Sequence, residues 1–430
     1  MLVKSVFMEL RSRLRSCNVY ITTNVDFKKD CNLKINIQSN CIVLNYYDNE
    51  LKRYDSLSSI ESLSDYSDDE SDVTCVIPIQ QFCSIIPNSM SCLKIEKNTV
   101  SFRILTEPKN GGNFYSEIIS TNDLTKEIKV DKMNINFNSK EDIKIVCANC
   151  SNVISDGFVK FDRILELPTA NLDMSEWFCH GHSHSSNYKP QNDVLQPNTL
   201  DFLYRLTFFI VNNTILSDEV NKFNCKRTVY HCNRCLAWLG VKNKNTVKLY
   251  NSDVKIHHDS NVKHIFSHEK PTQNVTIDDF IYTVESLTRE FNLGLQYTMM
   301  CKIVLECTMS VSKKQYLLIW VMDKELQVLR NEEKCINSER VMLKSSFLTK
   351  ILYKIELELN DEVETWLADP SVVNSDVSKS MFSQGLSHLE QMSLKVPESF
   401  RYTNGYTLHD FLNDNILSYY YFNDLMSLVL

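Results

Sequence analysis

Glycine is scarce in this chain, with 8 among 430 residues. Loops that cradle phosphate depend on glycine, and neither GxGxxG nor GxxxxGK[ST] occurs. A basic excess is also missing. Lysine and arginine number 46 against 54 aspartates and glutamates, a net charge of -8. That balance disfavours a general DNA or RNA binder, which needs cations for phosphate contacts. No stretch reaches the roughly 18 apolar residues of a membrane span. The opening "MLVKSVFMELRSRLRS" carries charge throughout, so it does not read as a secretory signal. Neither a HExxH metalloprotease helix nor a GxSxG nucleophile elbow is present, and no residue is singled out as catalytic.

The composition suits a folded protein with a real core: 43% hydrophobic and 23% charged, over a length that suggests two or three domains. Fifteen cysteines are many for a chain read as remaining in a reducing compartment. Metal ligation and buried thiols are expected there in preference to a disulfide framework.

The first 144 residues read as a β-rich domain. "NVYITTNV", "NLKINIQSNCIVLNYY", "CVIPIQQF", "CLKIEKNTVSFRIL" and "FYSEIIST" are rich in Val, Ile, Thr and Tyr with partial alternation. Between them, residues 55–72 ("DSLSSIESLSDYSDDESD") hold no lysine or arginine and too little apolar surface to order themselves. Ser67, ahead of Asp68, Asp69 and Glu70, fits an acidophilic kinase; a plain solvated loop is the other reading. Residues 145–258 hold most of the paired cysteines and histidines, and 259–430 read as a mixed α/β region. There "TIDDFIYTVESLTREF" sets Ile277, Phe280, Ile281, Val284, Leu287 and Phe291 at helical spacing, with a capping-box-like start at Thr276 and Asp279. Asp278 and Asp279 suit a helix N-terminus. "YTMMCKIVLECTMS" and "QYLLIWVMDKELQVL" read as strands, and 347–359 as a helix or a strand pair. The fold class expected is α+β, predominantly β.

Two CxxC motifs carry the chemistry. "IVCANCSNVI" holds Cys147 and Cys150; "VYHCNRCLAWLG" holds Cys232 and Cys235. Each pair is flanked by apolar residues, the pattern of a knuckle that presents two thiolates on a tight turn between short strands. Four cysteines make a closed tetrahedral site for structural zinc, with no position left for a catalytic water. Free thiols remain an alternative, as does a redox pair, although the flanks do not suggest the strand-to-helix setting of a thioredoxin-like motif. "EWFCHGHSH" is a rival with Cys179, His180, His182 and His184. Its spacing is poor for one tetrahedral ion, because neighbours on an extended chain point to opposite faces. His182 and His184 read as loop histidines, as do those of "HHDSNVKHIFSHEK".

In order, "CANC", "FDRILELPTANLDMSEWFCH", "LYRLTFFIVN", "VYHCNRCLAWLG" and "QYLLIWVMDKELQV" resemble the HECT-like ubiquitin-conjugating-enzyme-binding family, from about 145 to 329, and "VFMELRSRL" fits its opening segment. The resemblance implies a ubiquitin-protein ligase or adaptor. Such a protein binds a ubiquitin-conjugating enzyme, here near residues 236–258, and promotes transfer of ubiquitin to substrate proteins in cytoplasm and nucleus. It also implies an alternative: a non-catalytic binder and inhibitor of the pre-mRNA 3′-end processing endonuclease. In that reading Trp177, Cys179 and His180 form the partner-binding loop. No direct nucleic-acid or membrane contact is implied. A HECT-type ligase carries ubiquitin on a cysteine near its C-terminus, yet the last cysteine here is Cys335. A thioester needs a thiolate, so residues 336–430 offer none.

Overall fold

Along β1 (Val3–Arg11), Val6, Met8 and Leu10 alternate with Phe7, Glu9 and Arg11, and the period of two sends the first set to one face. The partner β2 (Ser16–Thr23) does the same with Cys17, Val19 and Ile21. The computed structural model describes residues 3–24, 26–27, 32–47, 73–109, 134–167, 197–217, 229–243, 245–258, 261–268, 274–292, 300–310, 313–331, 340–394, 396, 402–403 and 415–421. Strands dominate it, with three α-helices, so the fold is α+β and predominantly β.

The chain divides into two compact units. The first comprises residues 1–128, 323–351 and 392–430. After β1 and β2 it adds β3 (Asn32–Ile37), β4 (Cys41–Tyr47) and β5 (Val73–Pro78), a three-stranded antiparallel sheet. Short β6 (Ser84–Ile85) and β7 (Ser91–Glu96) flank β8 (Thr99–Glu107), which pairs with β2. Val6, Met8, Leu10, Val19, Ile21, Phe102 and Ile104 bury their side chains with Ile42, Leu44 and Ile77 of the smaller sheet. On the opposite face Glu9 is only 1% exposed. Its charge is met by Lys350 Nζ at 2.9 Å and by an amide hydrogen bond from Asn18 Nδ2 at 3.1 Å, as a buried carboxylate requires.

The second unit, residues 129–322 and 352–391, holds the cysteine motifs. It begins with β9 (Asn134–Ile135), β10 (Lys144–Cys147), β11 (Arg163–Glu166), β12 (Asp201–Tyr204) and β13 (Phe208–Asn212). Next come β14 (Val229–His231), β15 (Trp238–Asn243), β16 (Thr246–Tyr250), β17 (Val254–His258), β18 (Asn261–His264) and β19 (Phe266–Ser267). They form a six-stranded sheet in the order β11-β12-β13-β16-β15-β14 and a three-stranded sheet β10-β17-β18. One core serves both, including Ile145, Phe202, Phe209, Tyr230, Leu239, Leu249, Val254 and Ile256.

Helix α1 spans Val275–Phe291. Its N-cap is Asn274, two residues before the start expected from Thr276: the Asn274 carboxamide accepts from the amides of Thr276 and Ile277, and asparagine caps better than threonine. Phe280, Val284 and Leu287 are fully buried, as the periodicity predicts. The strands expected next are β20 (Cys301–Ser310) and β21 (Lys313–Asn331). Residues 347–356 belong to one strand, β22 (Leu343–Glu356), and not to a helix or a pair. Helix α2 (Asp361–Ala368), strand β23 (Val372–Val377) and helix α3 (Lys379–Ser393) follow, then β24 (Tyr402–Thr403) and β25 (Asn415–Tyr421). Asn360 caps α2, and Ser378 Oγ accepts from the Met381 amide at the start of α3. Helix α3 crosses α1 at Gly385, where a Cβ would come within 2.3 Å of the Phe280 ring. Among the described residues no helix is long and apolar enough to cross a membrane.

Candidate metal centre

The first CxxC begins where β10 ends. Cys147 N donates to Asn152 O (2.8 Å) and Ser151 N to Cys147 O (2.9 Å), a tight reversal that puts Ser151 at φ 57°. The second CxxC repeats it between β14 and β15. Cys232 N donates to Ala237 O (2.9 Å), Leu236 N to Cys232 O (2.9 Å), and Leu236 sits at φ 58°. Position for position, Cys147 matches Cys232, Cys150 matches Cys235 and Ser151 matches Leu236. These are two copies of one knuckle, as their similar flanks predict.

The two turns meet. Cys147 Sγ lies 3.7 Å from Cys235 Sγ, and Cys150 Sγ 3.6 Å from Cys232 Sγ. All four sulfurs fall within 4.8 Å of one another. Zinc–sulfur bonds of about 2.3 Å set tetrahedral sulfurs about 3.8 Å apart. The spacing therefore fits one ion held by Cys147, Cys150, Cys232 and Cys235, and the soft donor set suits zinc among other thiophilic metals. Cys147 and Cys232 are buried in the core, while Cys150 and Cys235 are partly exposed.

Amides turn toward the sulfurs. The Cys147 sulfur accepts from the amides of Cys150 and Asn149, Cys150 from Asn152, and Cys235 from Ala237. Burial pushes the Cys147 thiol up to about 12, against the pull of those amides, and also raises Cys150. Burial raises Cys235 too, but the Ala237 amide, the Asn149 side chain and the neighbouring thiols outweigh it and hold Cys235 at about 6. Four thiolates this close repel one another, and a divalent cation is the charge that lets all four lose their protons.

Further groups fix the knuckles. Ala148 N donates to Asp253 O at 2.9 Å, and Arg234 Nη1 reaches Cys150 O at 3.5 Å. Asp253 itself is partly buried, with its carboxylate accepting from Ser380 Oγ at 2.5 Å; its desolvation pushes it up to about 6. Beside them lies a polar network: Asp376 accepts from Lys248 Nζ at 2.5 Å and from the Tyr250 hydroxyl at 3.0 Å. Nothing in the local sequence marks these residues, because each pair is more than 120 positions apart.

The chain matches the model of the HECT-like Ubiquitin-conjugating enzyme (E2)-binding family over residues 9–408. It belongs to that family. The match takes in both knuckles and extends past the 145–329 stretch where the motifs carry the resemblance, into both units. The family's name implies binding to a ubiquitin-conjugating enzyme. No curated protein and no solved structure matches the chain.

The remaining site expectations divide in two. Trp177, Cys179 and His180 lie outside the described residues, as do His182, His184 and residues 55–72. The strands flanking the 168–196 stretch are well pinned. Arg163 makes two bonds to the Asp201 carboxylate, 2.7 and 2.6 Å, and this guanidinium holds Asp201 below its usual range. The histidines at 257–268 are not the solvated set expected from their polar surroundings. His257, His258, His264 and His268 are all partly buried. His268 Nε2 lies 2.6 Å from Asp279 Oδ1, and burial lowers the pKa of His264. Asp279 thus pairs with a side chain in addition to sitting at a helix start.

Proposed function

We propose that this protein binds a ubiquitin-conjugating enzyme and promotes ubiquitin transfer to substrate proteins as an adaptor, without carrying ubiquitin itself. The observation that carries the binding is the family match spanning residues 9–408. In this reading zinc occupies the four-cysteine site and staples the knuckles into one surface, and the enzyme docks on the second knuckle and the strands after it, residues 236–258.

Most of the described cysteines outside the knuckles suit the adaptor role better than a thioester route. A ubiquitin-carrying thiol must be accessible and readily ionised. Cys83, Cys301 and Cys307 are buried, which pushes each up to about 12; burial likewise raises Cys75 to about 11 and Cys17 further. Cys41 is partly buried and its sulfur lies 3.2 Å from Gln38 Oε1. Among the described cysteines outside the knuckles, Cys92 alone is exposed, on β7.

The test mixes the protein with ubiquitin, activating enzyme and a panel of conjugating enzymes. Faster discharge of one charged conjugating enzyme, with no thiol-sensitive ubiquitin adduct on this chain, is the expected result. An adduct removed by dithiothreitol would establish thioester transfer and end the adaptor reading. No binding and no discharge with any conjugating enzyme would end both. Elemental analysis of native protein should find about one zinc per chain.

A further inference from the structure

Leu236 combines two features that folding alone does not favour. Its side chain is 68% exposed, the most of any large apolar residue among those described. Its backbone also lies at φ 58°, where a branched L-residue is strained and glycine or asparagine is at ease. The equivalent residue of the first knuckle, Ser151, holds the same backbone at φ 57° with a small polar side chain. The turn therefore does not require leucine. An exposed apolar group on a strained backbone is better explained by contact with something outside the chain.

The setting suits an anchor. The leucine is held by its own amide bond to Cys232 O at 2.9 Å, and its neighbour Ala237 accepts from Cys232 N at 2.9 Å. Arg234, on the same turn, is tied to Cys150 O across the two knuckles at 3.5 Å. Cys235, next in sequence, is one of the four clustered sulfurs. A rigidly displayed apolar side chain loses little freedom when a partner covers it, the property of interface hot spots.

We infer that Leu236 is the apolar anchor by which the metal-stapled knuckle seats in a pocket of the conjugating enzyme. This rests on the conjugating-enzyme reading and adds to it the residue and the kind of contact: an apolar knob entering an apolar pocket. Metal at the neighbouring sulfurs holds the knob in place.

The experiment measures affinity of the full, metal-loaded chain for a panel of conjugating enzymes, with Leu236→Gly, Leu236→Asn and Leu236→Met alongside. Glycine and asparagine relieve the backbone strain, so both variants should keep the metal and melt at or above the wild-type temperature. Both should bind at least tenfold more weakly, while Leu236→Met, which keeps the knob, should stay within about threefold of wild type. Two residue types at home at positive φ guard against one of them loosening the turn. If wild type binds and both variants bind equally well, the anchor role falls and the conjugating-enzyme reading stands. If wild type binds no conjugating enzyme, both fall. If Leu236→Gly instead abolishes self-association while leaving conjugating-enzyme affinity intact, the partner is a second copy of this chain and the inference is overturned.

Discussion

Gly240 sits where a Cβ would fall 1.9 Å from the Lys248 carbonyl oxygen, so β15 reaches its register with β16 only through glycine. Gly240→Ala should destabilise the second unit by on the order of 3 kcal/mol, read by urea denaturation, since backbone must move to make room. Nothing about "WLG" in the sequence announces that demand; the obstructing oxygen belongs to another strand. Asp253 makes a second case. Its pKa is raised from 3.8 to about 6 by burial, so its stabilising effect is fully present below the unfolded value and is lost as pH rises through about 6. At about 1.4 kcal/mol per pKa unit, the charged form above that range is penalised by on the order of 3 kcal/mol. Asp253→Asn keeps an acceptor for Ser380 and removes the charge. It should stabilise the protein at pH 8 more than at pH 5, each compared with wild type in thermal melts at the same pH. Equal effects at both pH values would show that Asp253 is not the charged group responsible.

The knuckles are the elements most legible in the sequence. Two thiols three residues apart suit a tight turn, and short apolar flanks mark the strands around it. Cys232→Ser should release the bound metal and destabilise the fold by several kcal/mol, because the energy of a structural metal site is folding energy. A variant that keeps full metal content and stability would remove Cys232 from the ligand set. The helices differ in how plainly the sequence marks them. The stripe of α1 stands out because Phe280, Val284 and Leu287 recur at helical spacing, yet its first residue depended on which side chain turned back to cap it. Asn274→Ala should therefore weaken the fold by about 1 kcal/mol. Helix α3 shows a weaker stripe, although Met381, Phe382, Gly385, Leu389 and Met392 carry its buried face. Gly385→Ala should cost about 1 to 3 kcal/mol from crowding against Phe280. Combining it with Phe280→Leu should recover part of that loss, a coupling measurable in a double-mutant cycle.

For the molecule as a whole, the four-cysteine site lies within one unit. Chelation should raise hydrogen exchange in residues 143–153 and 229–250, where the knuckles and their strands lie, while β1, β2 and β8 keep their protection. Uniform loss of protection in both units would show that the site controls global stability instead. The sequence by itself determined the predominantly β α+β class, the strands of the first hundred residues, the stripe of α1 and the four cysteines, because period-two alternation, helical spacing and CxxC turns are short-range properties of a chain. It also marked the family, through the order of its motifs. Only the tertiary structure decided that the two knuckles bring their sulfurs together across 82 and 88 residues, that the Asp253 carboxylate meets Ser380, that the 257–268 histidines are partly covered, and that Leu236 is exposed on a left-handed turn. Those outcomes turn on which distant segments pack together, and no local pattern encodes which surface a residue will meet.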